Sequence, residues 1–186
     1  IMTYFTGAKE IEKTEIYSIY TLTKELAKKF QKEITEIWNL VPLSSHGVND
    51  ILMEEKGGKP YLGKWQHSLI MLSPDREEVY GFIVGYEREE ESNDIYPIDS
   101  LHLKSLSIAK EHQRRGFGRE LLSAWLKHNR ELGYLHLKGK FVFSTQTNGA
   151  KWNAHVQKFY QSFGFKMIGS KQYEHKIDNV YFIYPW

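Results

Sequence analysis

The sequence predicts a mixed α/β fold, and three observations carry that expectation. Residues 101–122, LHLKSLSIAKEHQRRGFGRELL, read as a strand, a short turn and a glycine-rich entry into a helix. Apolar residues recur every three or four positions between Tyr20 and Trp38, the spacing of an amphipathic helix. Alternating runs at Trp65–Leu72 and Val79–Tyr86, joined through Ser73-Pro74-Asp75-Arg76, read as a hairpin.

In chain order, Met2–Phe5 offers a first strand. The helix over Tyr20–Trp38 carries Leu22, Leu26, Phe30, Ile34 and Ile37 on one side and ends before Pro42. Lys24, Lys28, Lys29 and Lys32 line the other side, interrupted by Glu25 and Glu33, the pattern of a solvated surface. Residues 43–63 are loop-rich with room for a short helix. After the hairpin comes Glu87-Arg88-Glu89-Glu90-Glu91-Ser92-Asn93-Asp94. A solvated loop is the ordinary reading of such a run. The functional one is that its carboxylates concentrate a cationic amine.

In the next strand Leu101 and Leu103 alternate, then Leu106 and Ile108 resume in the opposite phase. That slip predicts a β-bulge near Lys104-Ser105. The helix after it shows a stripe at Phe117, Leu121, Leu122, Trp125 and Leu126. Its entry fits phosphate binding. A helix N-terminus offers unpaired N–H groups and the positive end of its dipole, and Gly116 and Gly118 present no side chain to obstruct an approaching anion. Arg114, Arg115 and Arg119 add cations. A dinucleotide-binding loop fits badly, since GxGxxG requires a glycine where Leu121 stands, and no Gly-Lys-Ser/Thr closes a P-loop.

Further on, Phe141–Ser144 reads as a short strand. Asn153–Phe163 reads as a helix with the apolar stripe Val156, Phe159, Tyr160 and Phe163. Phe165–Tyr173 and Val180–Tyr184 read as a final hairpin with Ile177-Asp178-Asn179 near its turn. Tyr173, Tyr181, Tyr184 and Trp186 are candidates for an acceptor pocket or for sheet packing.

Composition bounds the function. The chain has 186 residues, 41% hydrophobic and 26% charged, as expected of one globular domain. A net charge of +2 without a concentrated basic patch argues against a nucleic-acid partner. The absence of cysteine excludes disulfides and thiolate catalysis and suits a cytoplasmic location. No run approaches a membrane span. The 8 histidines lack any ligand spacing such as HExxH, so no catalytic metal is expected.

The segment around Gln113-Arg114-Arg115-Gly116-Phe117-Gly118 resembles the acetyl-CoA-binding motif of the GCN5-related N-acetyltransferases (GNAT), Gln/Arg-x-x-Gly-x-Gly/Ala after a bulged strand. Asn153 followed by Phe159-Tyr160-Gln161-Ser162-Phe163-Gly164-Phe165 resembles that family's second signature. The resemblance implies a mostly antiparallel mixed sheet, splayed between its fourth and fifth strands, with helices on both faces. It places the variable acceptor-side portion in residues 1–64 and the cofactor-binding and catalytic portion in 65–186.

It further implies acetyl-CoA as donor cosubstrate, with Gln113–Arg119 at the pyrophosphate. Leu106, Ser107 and Ile108 would lie along the pantetheine, with a backbone N–H there for the oxyanion, and Asn153 would touch the same arm or cap its helix. Tyr160 corresponds to the general acid that protonates the departing thiolate. His102, on the bulged strand, stands where the family often keeps its general base, the alternative being a partly buried structural histidine. Lys104 should share its face and lower its pKa.

The implied reaction is direct acetyl transfer to a primary amine in a ternary complex, which agrees with the lack of a cysteine nucleophile. A small-molecule amine is the favoured acceptor. A protein N-terminus or lysine is the alternative, as is a non-catalytic acyl-CoA sensor. A homodimer is left open.

Overall fold

The computed structural model describes residues 4–90 and 96–185. The expected strand at Met2–Phe5 has Tyr4 and Phe5 in a turn, while Met2 and Trp186 lie outside the described residues. So does the Glu91–Asp94 part of the acidic run. The described chain forms two compact units, residues 1–86 with 105–133, and 87–104 with 134–186.

In the first unit, β1 (Glu10–Lys13), β2 (Ser18–Thr21), β5 (Leu69–Leu72) and β6 (Val79–Arg88, which runs on past the unit's end) pair antiparallel in that order. A small hairpin of β3 (Glu55–Lys56) and β4 (Lys59–Pro60) turns through Gly57 and Gly58. Both glycines have positive φ, at 59° and 79°, a conformation that side chains resist.

The expected helix over Tyr20–Trp38 is shorter and broken. Tyr20 and Thr21 belong to β2, where they pair with Ile70 and Leu69. Thr23 then caps α1 (Lys24–Lys29) by accepting from the Leu26 N–H, and α2 (Gln31–Trp38) follows a bend at Phe30. The apolar stripe is nonetheless real: Leu22, Leu26, Phe30, Ile34 and Ile37 are all buried against Ile70, Leu72, Phe82 and Val84. Between α2 and β5, a 3-10 turn at Asp50–Leu52 is the short helix expected there. Trp65–His67 form a helical turn, α3 (Lys64–His67), in place of the start of the next strand. Lys64 explains this, because its buried ammonium donates to the carbonyls of Ile51 and Met53 at 2.6 Å each and pins the turn inward.

The long helix α4 (Phe117–Leu132) buries the anticipated stripe of Phe117, Leu121, Leu122, Trp125 and Leu126. It meets the sheet across Gly85, where an added Cβ would stand 2.7 Å from Trp125 Cζ2. Trp125 Nε1 donates to the His67 carbonyl at 2.6 Å, closing the contact. Alternation along the strands sends Ile70 and Leu72 toward α1 and α2, so this unit carries helices on both faces.

In the second unit, the first half of β7 (Ser100–Ile108, whose residues from Ser105 belong to the first unit) pairs parallel with β8 (Phe143–Asn148). β8 pairs antiparallel with β10 (Lys176–Ile183), and β10 with β9 (Lys166–Tyr173). Helix α5 (Ala154–Ser162) follows β8. The strand read as Phe141–Ser144 thus begins and ends later. The final turn falls at Glu174-His175, and Ile177-Asp178-Asn179 are inside β10. Asp and Asn suggest a turn locally, but here their side chains are spent across strands. Asp178 accepts from Gln146 Nε2 at 3.3 Å, and Asn179 Oδ1 accepts from Ser170 Oγ at 3.0 Å. A small core of Tyr96, Val142, Val180 and Phe182 lies on one face.

The acidic run is not uniformly solvated. Glu87 is 1% exposed, and its carboxylate accepts the N–H groups of Leu135, His136 and Leu137 at 2.8–3.0 Å.

Candidate active site

In the first unit, β7 leaves the sheet through Ala109 and a 3-10 turn at Lys110–His112, then enters the loop before α4. Gln113 Nε2 donates back to the Ile108 carbonyl at 3.0 Å and fixes the loop's start. Arg114 and Gly116 are both left-handed, with φ of 63° and 81°. For arginine that conformation costs on the order of 1 kcal/mol, and such outliers gather at binding loops. Gly116 is the N-cap of α4 and gives no side-chain bond to the helix. A Cβ there would meet nothing within 4 Å, so the backbone is open to an approaching group. Phe117 is buried beneath the loop, Gly118 is half-buried, and Arg114, Arg115 and Arg119 are exposed.

The same unit holds two further features on β7. Ser107 is 6% exposed and its Oγ is buried without a hydrogen-bond partner among the described residues. Such a hydroxyl is costly unless something outside the protein pairs with it. Leu106 and Ile108, on either side, are half-buried. Gly81 of β6 lets this strand lie close, since a Cβ there would stand 2.5 Å from Ile108 Cδ1 and 2.7 Å from the Ser107 carbonyl.

In the second unit, the parallel ladder joins Leu101, His102 and Leu103 to Phe143, Ser144 and Thr145. Thr145 Oγ1 donates to the Leu103 carbonyl at 3.1 Å. Tyr160, 6% exposed on α5, hydrogen-bonds to this same Thr145, at the ladder's last pair. Burial pushes the phenol up to about 12, a rise that the Thr145 bond partly offsets. Val156, Phe159 and Phe163, expected to be buried alongside it, are only half-buried. Asn153 stands at the N-cap of α5 but makes no cap bond. Its Nδ2 instead donates to Thr147 Oγ1 at 2.9 Å and to the Asn148 carbonyl at 2.7 Å, tying the helix to the end of β8.

His102 is 4% exposed, with Nδ1 2.9 Å from Ser144 Oγ and the Tyr96 ring edge-on at 5.5 Å. Burial, joined by the charges of Arg88, Lys104 and Lys171, pushes its pKa down to about 3. Lys104 thus acts in the expected direction, with two further cations beside it. Side chains alternate along a strand, so His102 beside Ser144 and Tyr160 on Thr145 occupy opposite faces of the β7–β8 pair. Sequence reasoning missed Thr145 and Gln146. The Gln146 amide joins the Tyr96 hydroxyl, Tyr173 and Asp178. No local motif marks either residue, because strand register alone brings them there.

Residues 66–167 match the model of the acetyltransferase (GNAT) domain family, more than half of the chain. The chain belongs to the GNAT acetyltransferase family. As such it takes its acetyl group from acetyl-CoA. No curated protein sequence matches it. Among solved structures, it is similar to Arabidopsis thaliana NAA60 in complex with a bisubstrate analogue, at TM-score 0.68 and 10% identity over 91% of this chain and 99% of that one. The ribosomal-protein-S18-alanine N-acetyltransferase from Escherichia coli gives TM-score 0.64 and 12% identity over 91% and 94%. Arabidopsis thaliana Naa50 in complex with the bisubstrate analogue CoA-Ac-MVNAL gives 0.61 and 13% over 90% and 97%. At these identities the likeness is one of fold, a mostly antiparallel mixed sheet with helices.

Among the described residues, no group of histidine and carboxylate side chains is arranged to hold a metal, and no helix is long and apolar enough to cross a membrane.

Proposed function

We propose that the chain transfers the acetyl group of acetyl-CoA directly to a primary amine, with Tyr160 as the proton donor to the leaving thiolate. The observation that carries this reading is the buried Tyr160 phenol held on Thr145 at the end of the parallel ladder. The coenzyme supplies an activated thioester, and the chain's own residues do the rest.

The left-handed Gly116 and the uncapped start of α4 offer backbone N–H groups to the pyrophosphate. Ser107 Oγ offers the pantetheine a hydrogen bond that no group among the described residues satisfies. Asn153 spends its donors on β8, which leaves Oδ1 as the atom it can offer a ligand. Tyr160 is protonated at neutral pH, as an ordinary phenol is, and burial raises its pKa further, to about 12. A thiol titrates near 8.5, so complete transfer in advance of bond cleavage would be uphill by roughly 5 kcal/mol. Tyr160 therefore acts by hydrogen bonding to the sulfur as charge develops and gives up its proton as the C–S bond breaks.

On the acceptor side, His102 is too weak to store a proton: at about pH 7 a group with a pKa of about 3 is protonated only at a cost of roughly 5 kcal/mol. His102 also lies on the face opposite Tyr160, so it keeps the structural role of a buried histidine on Ser144, and water carries the proton from the amine. A small amine is the favoured acceptor. The fold neighbours that act on peptides or a ribosomal protein support a peptide α-amine as the second reading.

The test is acetyl-CoA binding by calorimetry, followed by thiol release across small amines and peptides. Tyr160→Phe should keep its acetyl-CoA affinity within about twofold while turnover falls by about a hundredfold, the usual scale for losing a general acid. Full activity in that variant would remove Tyr160 from the chemistry. Coenzyme binding without release from any acceptor would favour a sensor.

A further inference from the structure

The hydrogens around Tyr160 can be placed by counting donors. Thr145 is fully buried on β8, in register with Leu103 of β7 on one side and Tyr181 of β10 on the other. Its Oγ1 donates to the Leu103 carbonyl at 3.1 Å. A hydroxyl has one hydrogen to give, and a carbonyl has none. With that hydrogen committed to Leu103, Thr145 meets the Tyr160 phenol only as an acceptor, so the phenol hydrogen lies toward Thr145 Oγ1. The tyrosine ring is braced by Phe159 and Phe165, which meet it edge-on at 5.5 and 5.7 Å.

This resting pattern has to change during the reaction. Once Tyr160 hands its proton to the sulfur, a phenolate oxygen faces a lone pair of Thr145, and two acceptors repel. The remedy is local. Rotation about the Thr145 Cβ–Oγ1 bond carries its hydrogen from the Leu103 carbonyl to the phenolate, without moving the backbone of either strand. A hydrogen bond to the charged form of a group favours that form, and the Thr145 bond acts in this direction, against the rise that burial imposes on the phenol.

We propose that Thr145 is the positioning residue of Tyr160, holding the phenol hydrogen at rest and turning its own hydroxyl to stabilise the phenolate as the proton leaves. The proposal rests on the reading of Tyr160 as general acid. In that step the phenol O–H bond breaks as the S–H bond forms, and the C–S electron pair goes to the sulfur. The surplus proton of the amine passes to water, and water returns one to the phenolate.

The test is turnover of the full chain with acetyl-CoA and the most active amine of the thiol-release panel, in a double-mutant cycle with Tyr160→Phe. Thr145→Val removes the hydroxyl and keeps the branched shape. It should lower kcat about tenfold, the scale of a hydrogen bond to a charged group, with acetyl-CoA affinity by calorimetry within about twofold. Thr145→Ser should retain most of the turnover. In the Tyr160→Phe background, Thr145→Val should change kcat by less than about twofold, because the oxygen it serves is gone. Thr145→Ala also lacks the hydroxyl and makes the same comparison where valine impairs folding. Wild-type kcat in Thr145→Val would overturn the proposal while leaving Tyr160 as the acid. So would an equal loss in both backgrounds, which a merely structural role would give, or an equal loss in Thr145→Ser. Full activity in Tyr160→Phe, or no thiol release with any amine, would overturn both readings.

Discussion

Acidification should expose the cost of burying His102. An unfolded histidine takes up a proton as pH falls through about 6.5, whereas the folded ring resists until about 3. Throughout that window the unfolded state binds more protons, so stability rises with pH and is lost as pH falls. Between about pH 7.5 and pH 5 the unfolded imidazole loads through about 1.5 units, a loss of roughly 2 kcal/mol attributable to this one residue. For a chain of this size that corresponds to a fall in Tm of about 4–8 °C. The other histidines add their own slopes, so the comparison is with His102→Gln, which keeps a polar partner for Ser144 and has no proton to gain. Thermal unfolding of both proteins across that range should show the wild type losing about 2 kcal/mol more. The His102 ring resonances in NMR should also remain those of the neutral form at about pH 5. Parallel slopes, or a ring titrating near its ordinary value, would refute the burial and the role of Arg88, Lys104 and Lys171 together.

Two further outcomes follow from glycines. Gly81→Ala places a methyl 2.5 Å from Ile108 Cδ1 and 2.7 Å from the Ser107 carbonyl. Part of that contact is backbone, so urea unfolding should report a loss of about 2 kcal/mol or more, and acetyl-CoA affinity should fall as β7 is displaced. Gly116→Ala has space for its methyl but not the conformation, with φ at +81°. It should cost about 1 kcal/mol in the same assay and weaken acetyl-CoA, whereas Gly116→Glu should abolish binding by charge and bulk. Normal coenzyme affinity in Gly116→Glu would sink the phosphate-loop assignment.

The features legible in the sequence are those whose causes are local. The α4 stripe from Phe117 to Leu126 is set by helical periodicity, and all of it is buried. The unobstructed helix start at Gly116 was legible as well, since a glycine has no side chain to place there, and its left-handed φ of 81° came only with the structure. Even Leu22 to Ile37 was read with the correct buried face, although the bend at Phe30 was not. Errors fell where a distant partner outbids local preference. Tyr20 and Thr21 pair with β5 and leave the helix. Asp178 and Asn179 leave a turn for cross-strand bonds, and Glu87 leaves solvent for the N–H groups 48–50 positions away.

By itself, then, the sequence determined where the glycine-rich entry to α4 lies, which faces of the helices are apolar and which residue types stand at the candidate positions, because those depend on neighbours within a few residues. Only the tertiary structure decided what state those residues occupy. Strand register sets His102 on Ser144 and Tyr160 on Thr145, on opposite faces. Burial and the converging charges of Arg88, Lys104 and Lys171 turn an ordinary histidine into one that stays neutral. Folding also brings Thr145 to the Leu103 carbonyl, 42 positions away. Proximity of that kind is created by closure of the chain, and no spacing along it encodes the electrostatic consequence.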